Sequence, residues 1–201
     1  MFIILDFEYT TWPGALESNW SQEGQYREVV QMTGLRFDDD FNEIGGRDIL
    51  VKPVFNPELS PLFIELTGIT QEIVDGYGIP FADALKLFSM FIRPETSVIC
   101  MNGDEGVMRE NCALHDVEYP FGSWYRLRPF LEACGVTMAG LSSGDLHKLT
   151  VAPLTGHTHN ALHDVRSMAH WLKDAKARGV FESVHQLGTG IPERDPRSVP
   201  L

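Results

Sequence analysis

The apolar run at residues 2–5, FIIL, followed at once by Asp6 and Glu8, constrains this chain more than any other stretch. A continuous run of that kind reads as a central strand buried on both faces, and the acids mark its C-terminal end. Two apart on a strand, Asp6 and Glu8 leave the same face, so their oxygens can share one or two cations. Carboxylates set against an apolar strand are costly to desolvate without a cation or donors. The competing reading is a solvated strand end, and D-x-E alone is a weak motif.

After a polar loop from about Thr11 to Tyr26, REVVQMTGLRF suggests a second strand and RDILVKP a third, joined through the Asp38-Asp39-Asp40 turn. A helix is expected near Glu58 to Leu66, then a TGIT turn, then an amphipathic helix over 81–91 with Ala84, Leu85, Phe88 and Phe91 on one stripe. SVICM at 97–101 reads as a second buried strand, followed by helices near 104–115 and within 128–133. The last helix spans about 160–178, with Leu162, Val165, Met168, Ala169 and Leu172 on its apolar stripe and Gly179 to end it. Strands first, then alternating strands and helices, predict a mixed α/β sheet with helices on its faces. At 201 residues and 43% hydrophobic, the chain holds one sizeable core. One domain is expected over 1–180, with 181–201 a Pro-rich, loosely held extension.

Two further positions carry chemistry. Asp104 follows SVICM through a short Asn-Gly connection, at a strand-to-helix junction of the kind where α/β proteins gather ligands, although Asp there is also a common helix N-cap. His159 and Asp164 sit in HTHNALHDV, with Asp164 bordering the apolar stripe of the last helix and so directed towards the sheet. His157, His159 and His163 are closely spaced, but no Cys or HExxH pattern completes a zinc site; His157 and His163 read as surface or supporting groups.

Taken together, DFEYT, NGDEGVM and HNALHD, in that order, resemble the three motifs of the DEDDh 3′-to-5′ exonucleases, the DnaQ-like family of RNase T, oligoribonuclease and the polymerase proofreading subunit. FIELTGITQEIVDG, between the first two motifs, resembles the Leu-Thr-Gly-Ile-Thr segment of RNase T-like and Eri-type members. The resemblance covers about residues 2–175 and implies an RNase H-like α/β fold, a mixed five-stranded sheet flanked by helices. It implies Asp6, Glu8, Asp104 and Asp164 as ligands of two Mg²⁺ or Mn²⁺ ions, His159 as general base, and Thr10 against the terminal sugar. Asn160, four residues before Asp164, stands where a sister branch has Tyr, so the histidine branch is implied. Hard divalent ions suit carboxylate donors, and an imidazole can take a proton from water near neutral pH. Trp12, Phe63 and Leu66 are candidates to stack on or wedge the terminal base, with core packing the rival reading, favoured for Phe63. Two departures, the long loop after the first motif and Gln31 where relatives often carry Glu, bear on substrate choice.

The implied substrate is the 3′ end of single-stranded nucleic acid, with 5′-mononucleotides released and RNA favoured over DNA. DNA trimming or proofreading, or a catalytically silent binding module on the same fold, are the alternatives. A net charge of −12, from 16 basic and 28 acidic residues, opposes an extended phosphate-binding track. Asp6 interrupts the opening apolar run and no basic segment precedes it, which argues against a signal peptide or membrane span. Three cysteines without CxxC spacing add to the expectation of a cytoplasmic protein. The resemblance also allows a homodimer.

Overall fold

The computed structural model describes residues 1–93 and 96–184. Its centre is β1 (Phe2–Tyr9), flanked by β2 (Val29–Phe37) and β4 (Ser97–Cys100) in a five-stranded sheet of order β3-β2-β1-β4-β5. The strands β3 (Glu43–Leu50) and β5 (Tyr125–Arg126) form the edges. Pairing is antiparallel from β1 to β2 and from β2 to β3, and parallel from β1 to β4 and from β4 to β5, which makes the sheet mixed as expected.

The burial of β1 explains its unbroken apolar sequence. Phe2 and Ile4 pack on one face, with residues of α6 (Leu127–Ala133) and α7 (Ala161–Ala177). Ile3, Leu5 and Phe7 pack on the other, with α4 (Phe81–Phe91) and α5 (Asp104–Leu114). An antiparallel strand with one wet face would alternate; a strand covered on both faces cannot. The α4 stripe is as expected, with Phe81, Ala84, Leu85, Phe88 and Phe91 buried.

Local rules missed four short elements. The first is α1 (Ala15–Ser18) in the loop after β1. The TGIT turn separates α2 (Pro61–Thr67) from α3 (Gln71–Tyr77), which was not anticipated. Thr70 caps α3 by accepting the Ile73 N–H, and Gly68 ends α2 at φ +72°. A 3-10 helix spans Ser143–Leu149, and β5 has two residues. The strand β3 begins at Glu43, four residues before the expected start at Arg47. Beyond α7, Val180, Phe181 and Val184 are buried in the same core as Phe2, with Phe181 edge-on to Phe41 and Phe130. The rest of the expected C-terminal extension, 185–201, lies outside the described residues. No described helix is long and apolar enough to cross a membrane.

Candidate active site

Three elements converge at the C-terminal end of β1. Asp6 is buried and Glu8 half-buried, side by side on one face of the strand. Asp164, in the first turn of α7, is brought over that face, and one oxygen from each of the three carboxylates lies within 4.8 Å of the others. Asp104 arrives from the neighbouring strand, as the first residue of α5 after β4. It is not the helix cap, a position held by Gly103. Its carboxylate is buried where β4 passes into α5, beside Phe7 of β1 and Cys100 of β4.

The electrostatics follow from this crowding. Burial, then the charges of Asp104, Asp164 and Glu8, hold the Asp6 carboxyl well above the usual range, and Glu8 is raised in the same way. Burial also raises Asp104 and Asp164 to about 6, against the hydrogen bonds each accepts. Among the described residues, no lysine or arginine forms an ion pair with any of these four. A set of hard oxygen donors, buried together without a protein cation, has the chemistry that divalent Mg²⁺ or Mn²⁺ requires.

His159 lies just before α7 in the left-handed region at φ +65°, rare for a residue with a Cβ, and its backbone N–H donates to Asp164 Oδ1 at 3.2 Å. Its half-buried imidazole is lowered from the ordinary histidine value by burial, with Asp145 opposing. His157 is exposed, whereas His163 is buried edge-on against His147, with Nε2 3.3 Å from the Gly144 carbonyl oxygen.

The other candidates separate on inspection. Thr10 is buried, and its hydroxyl is committed to protein, donating to the Tyr26 carbonyl at 2.6 Å and accepting the Glu28 N–H at 3.0 Å. It holds the loop after β1 in place and has no free hydroxyl proton for a sugar. Phe63 is 1% exposed and packs with Val30, Leu59, Ile69 and Val74, in the core position favoured for it. Trp12 and Leu66 are both partly exposed. Trp20 donates from Nε1 to the Thr10 carbonyl at 2.9 Å and sets its ring edge-on to Tyr9, which fixes the long loop against the end of β1.

Two contributors were not anticipated. The Ser143 hydroxyl donates to Asp164 Oδ2 at 2.8 Å and stands beside the Asp6 carboxylate. Gly144 lets the 3-10 backbone close on the same carboxylate, since a Cβ there would stand 2.3 Å from Asp164 Oδ1. A signal was present: Ser142-x-x-Asp145 is a capping box that announces a helical start at Ser143.

Comparison with known proteins agrees with this geometry. A family model described as exonuclease, RNase T, matches residues 3–172. The nuclease domain of 3′hExo, a DEDDh family member solved with rAMP, superposes with a TM-score of 0.72 at 20% identity, covering 90% of this chain and 94% of that one. Cell-death related nuclease 4 (CRN-4) superposes at 0.67 and 19% identity, covering 89% of this chain and 64% of that one. Exonuclease I of E. coli, solved with a dT13 oligonucleotide, gives 0.65 at 21% identity, with 88% and 41% covered. No curated protein matches the sequence significantly. The match of the family model across nearly the whole chain, on the mixed-sheet fold these nucleases share, shows that the protein belongs to the RNase T family of exonucleases.

Proposed function

We propose that this protein is a divalent-metal-dependent 3′-to-5′ exonuclease that trims single-stranded nucleic acid, with RNA preferred over DNA, and releases 5′-mononucleotides. The observation that carries the reading is the convergence of Asp6, Glu8 and Asp164, with Asp104 close enough to raise the proton affinity of Asp6 and Glu8. Asp6, Glu8, Asp104 and Asp164 would hold two Mg²⁺ or Mn²⁺ ions, whose charge would activate the attacking water and stabilise the departing 3′ oxygen. The protein's own part is positional and acid–base. His159, neutral near pH 7 because its environment lowers its proton affinity, would accept the proton of the attacking water. Ser143 would keep Asp164 and Asp6 in register. Trp12 and Leu66, both partly exposed, would hold the terminal base, while Thr10 would fix the loop that carries Trp12.

The RNA preference is supported by the FIELTGIT segment, by the likeness to the nuclease domain of 3′hExo, solved with rAMP, and by the likeness to a 3′-exonuclease solved in 3′-end specific recognition of a histone mRNA stem-loop. Exonuclease I, with its single-stranded DNA complexes, supports the alternative of DNA trimming. The deciding experiment is incubation of labelled single-stranded RNA and DNA with the protein, with Mg²⁺, with Mn²⁺ and with chelator, and with parent and His159→Ala protein. Mononucleotides released from the 3′ end only with cation, and a loss of about 10² to 10⁴ in kcat on substitution, are expected. Absence of hydrolysis of either polymer with either cation would overturn the reading in favour of a silent binding module.

A further inference from the structure

The first turn of α7 carries Asp164 and follows His159, yet it lacks a cap of its own. Asn160, at the N-cap, makes no side-chain capping hydrogen bond. The buried N–H of Ala161, the first residue of the helix, is instead taken by the side-chain carbonyl of Gln31, at 3.0 Å and 130 residues away in sequence. Gln31 stands opposite Glu8 in the β1–β2 register, so the two side chains leave the same face of the sheet. The cap is therefore anchored to the strand pair that carries the acids.

The orientation of that amide is fixed from the other end. Gln31 Nε2 donates to Asp48 Oδ1 at 2.8 Å, and the same oxygen accepts the Thr33 hydroxyl at 2.7 Å. Thr33 faces Asp6 on one side and Asp48 on the other. An ionised carboxylate only accepts and a backbone N–H only donates, so Gln31 fits between them one way round. A movement of this amide would shift Ala161, and with it both Asp164 and the strained His159, whose N–H is bound to Asp164.

We propose that Gln31, held by Asp48, is a positioning residue for the reaction: it sets the first turn of α7 against β1, and so places Asp164 and His159 relative to Asp6 and Glu8. The proposal rests on the functional reading above, and it differs from a mere stabilising contact in what it requires. A misplacement of about 1 Å in such a site lowers turnover by about 10²-fold, whereas a purely structural bond affects melting and leaves kcat alone.

The donor and acceptor pattern supplies a test by exchange. Gln31→Glu keeps the acceptor for Ala161 but sets two acceptor-only carboxylates against each other. Gln31→Glu with Asp48→Asn restores a donor–acceptor pair at unchanged net charge. Asp48→Asn alone leaves an acceptor for Gln31 and Thr33. The measurements are kcat and KM on a single-stranded oligonucleotide, and amide-proton exchange at Ala161 and Asp164 by NMR without metal.

Gln31→Glu is expected to lose about 10- to 100-fold in kcat with KM within about threefold, and to exchange faster at Ala161. The double variant is expected to return to within about threefold of the parent, and Asp48→Asn to stay there. Gln31→Met, apolar and of similar size, should behave as Gln31→Glu does, and Asp48→Asn cannot rescue it. Parent-like kcat and exchange in Gln31→Met, or a double variant as impaired as Gln31→Glu, would overturn the proposal. Should the parent hydrolyse neither polymer, the functional reading fails. The exchange data then decide whether Gln31 sets the turn: unchanged exchange in Gln31→Met would still refute it, and faster exchange confined to this turn would uphold the placement.

Discussion

Asp104 shows how one residue trades stability for chemistry. Buried, it is raised to about 6, so in the fold it binds its proton more tightly than the unfolded chain does at its ordinary value near 4. Between those values the folded state holds more protons than the unfolded one, and stability falls as pH rises through the window. Its contribution is thus most favourable below about pH 4 and is lost by pH 7 unless a cation is present. Replacement by the neutral amide removes this dependence. In metal-free buffer, Asp104→Asn should melt above the parent at pH 7, with the gap closing towards pH 4. A gap that is constant with pH, or of opposite sign at pH 7, would show that Asp104 is not held against its charge.

At the scale of elements, the linker between α2 and α3 illustrates how a turn is written in sequence. Thr67 donates to the Phe63 carbonyl and accepts the Ile69 N–H, Gly68 turns the chain at φ +72°, and Thr70 starts the next helix. Left-handed backbone disfavours a Cβ by roughly 1–2 kcal/mol. At Gly68 an added Cβ meets only the His157 ring, at an ordinary 3.9 Å, so the cost of Gly68→Ala is conformational rather than steric. A loss of about 1–2 kcal/mol is expected in urea unfolding, with the slope unchanged. A loss above about 4 kcal/mol would mean that the segment packs more tightly than this geometry allows. The turn also shows how Phe63 is held in the core: its helix is pinned at both ends with the ring inward.

Across the whole molecule, the surface charge is organised against long-range grip on nucleic acid. The net charge is −12, and many basic side chains are already engaged with acids: Arg27 with Glu110, Arg109 with Glu105, Arg128 with Glu132, Lys148 with Asp145 and Arg166 with Glu43. Affinity should then come from the cation site and the terminal nucleotide. A footprint of roughly two to four phosphates predicts a slope of about −1.5 to −3 in log K against log salt, at about −0.7 per phosphate of a single strand. Titration of an inactive His159→Ala protein with a labelled oligonucleotide at several monovalent salt concentrations measures it. A slope steeper than about −6 would reveal a basic track and refute the short footprint.

Much of this was legible in the residues themselves. The β1 run, the α4 stripe and the span of α7 are local patterns, and burial on two faces or on one stripe writes itself directly into the order of apolar residues. The convergence of Asp6, Glu8 and Asp164, by contrast, was anticipated only through the resemblance of three distant motifs, since no local rule brings residues 6 and 164 together. Tertiary structure alone decided which side chains around the acids are committed elsewhere. Thr10 spends its hydroxyl on Tyr26 and Glu28, Phe63 closes a core, and Asp104 is buried as the first residue of its helix, with Gly103 at the cap. The same holds for Ser143 on Asp164 and Gln31 on Ala161, bonds spanning 21 and 130 residues. Propensity and periodicity act over one or two turns of chain, whereas a hydrogen bond of that span exists only once the sheet and α7 have packed, so it leaves no periodic mark on the sequence.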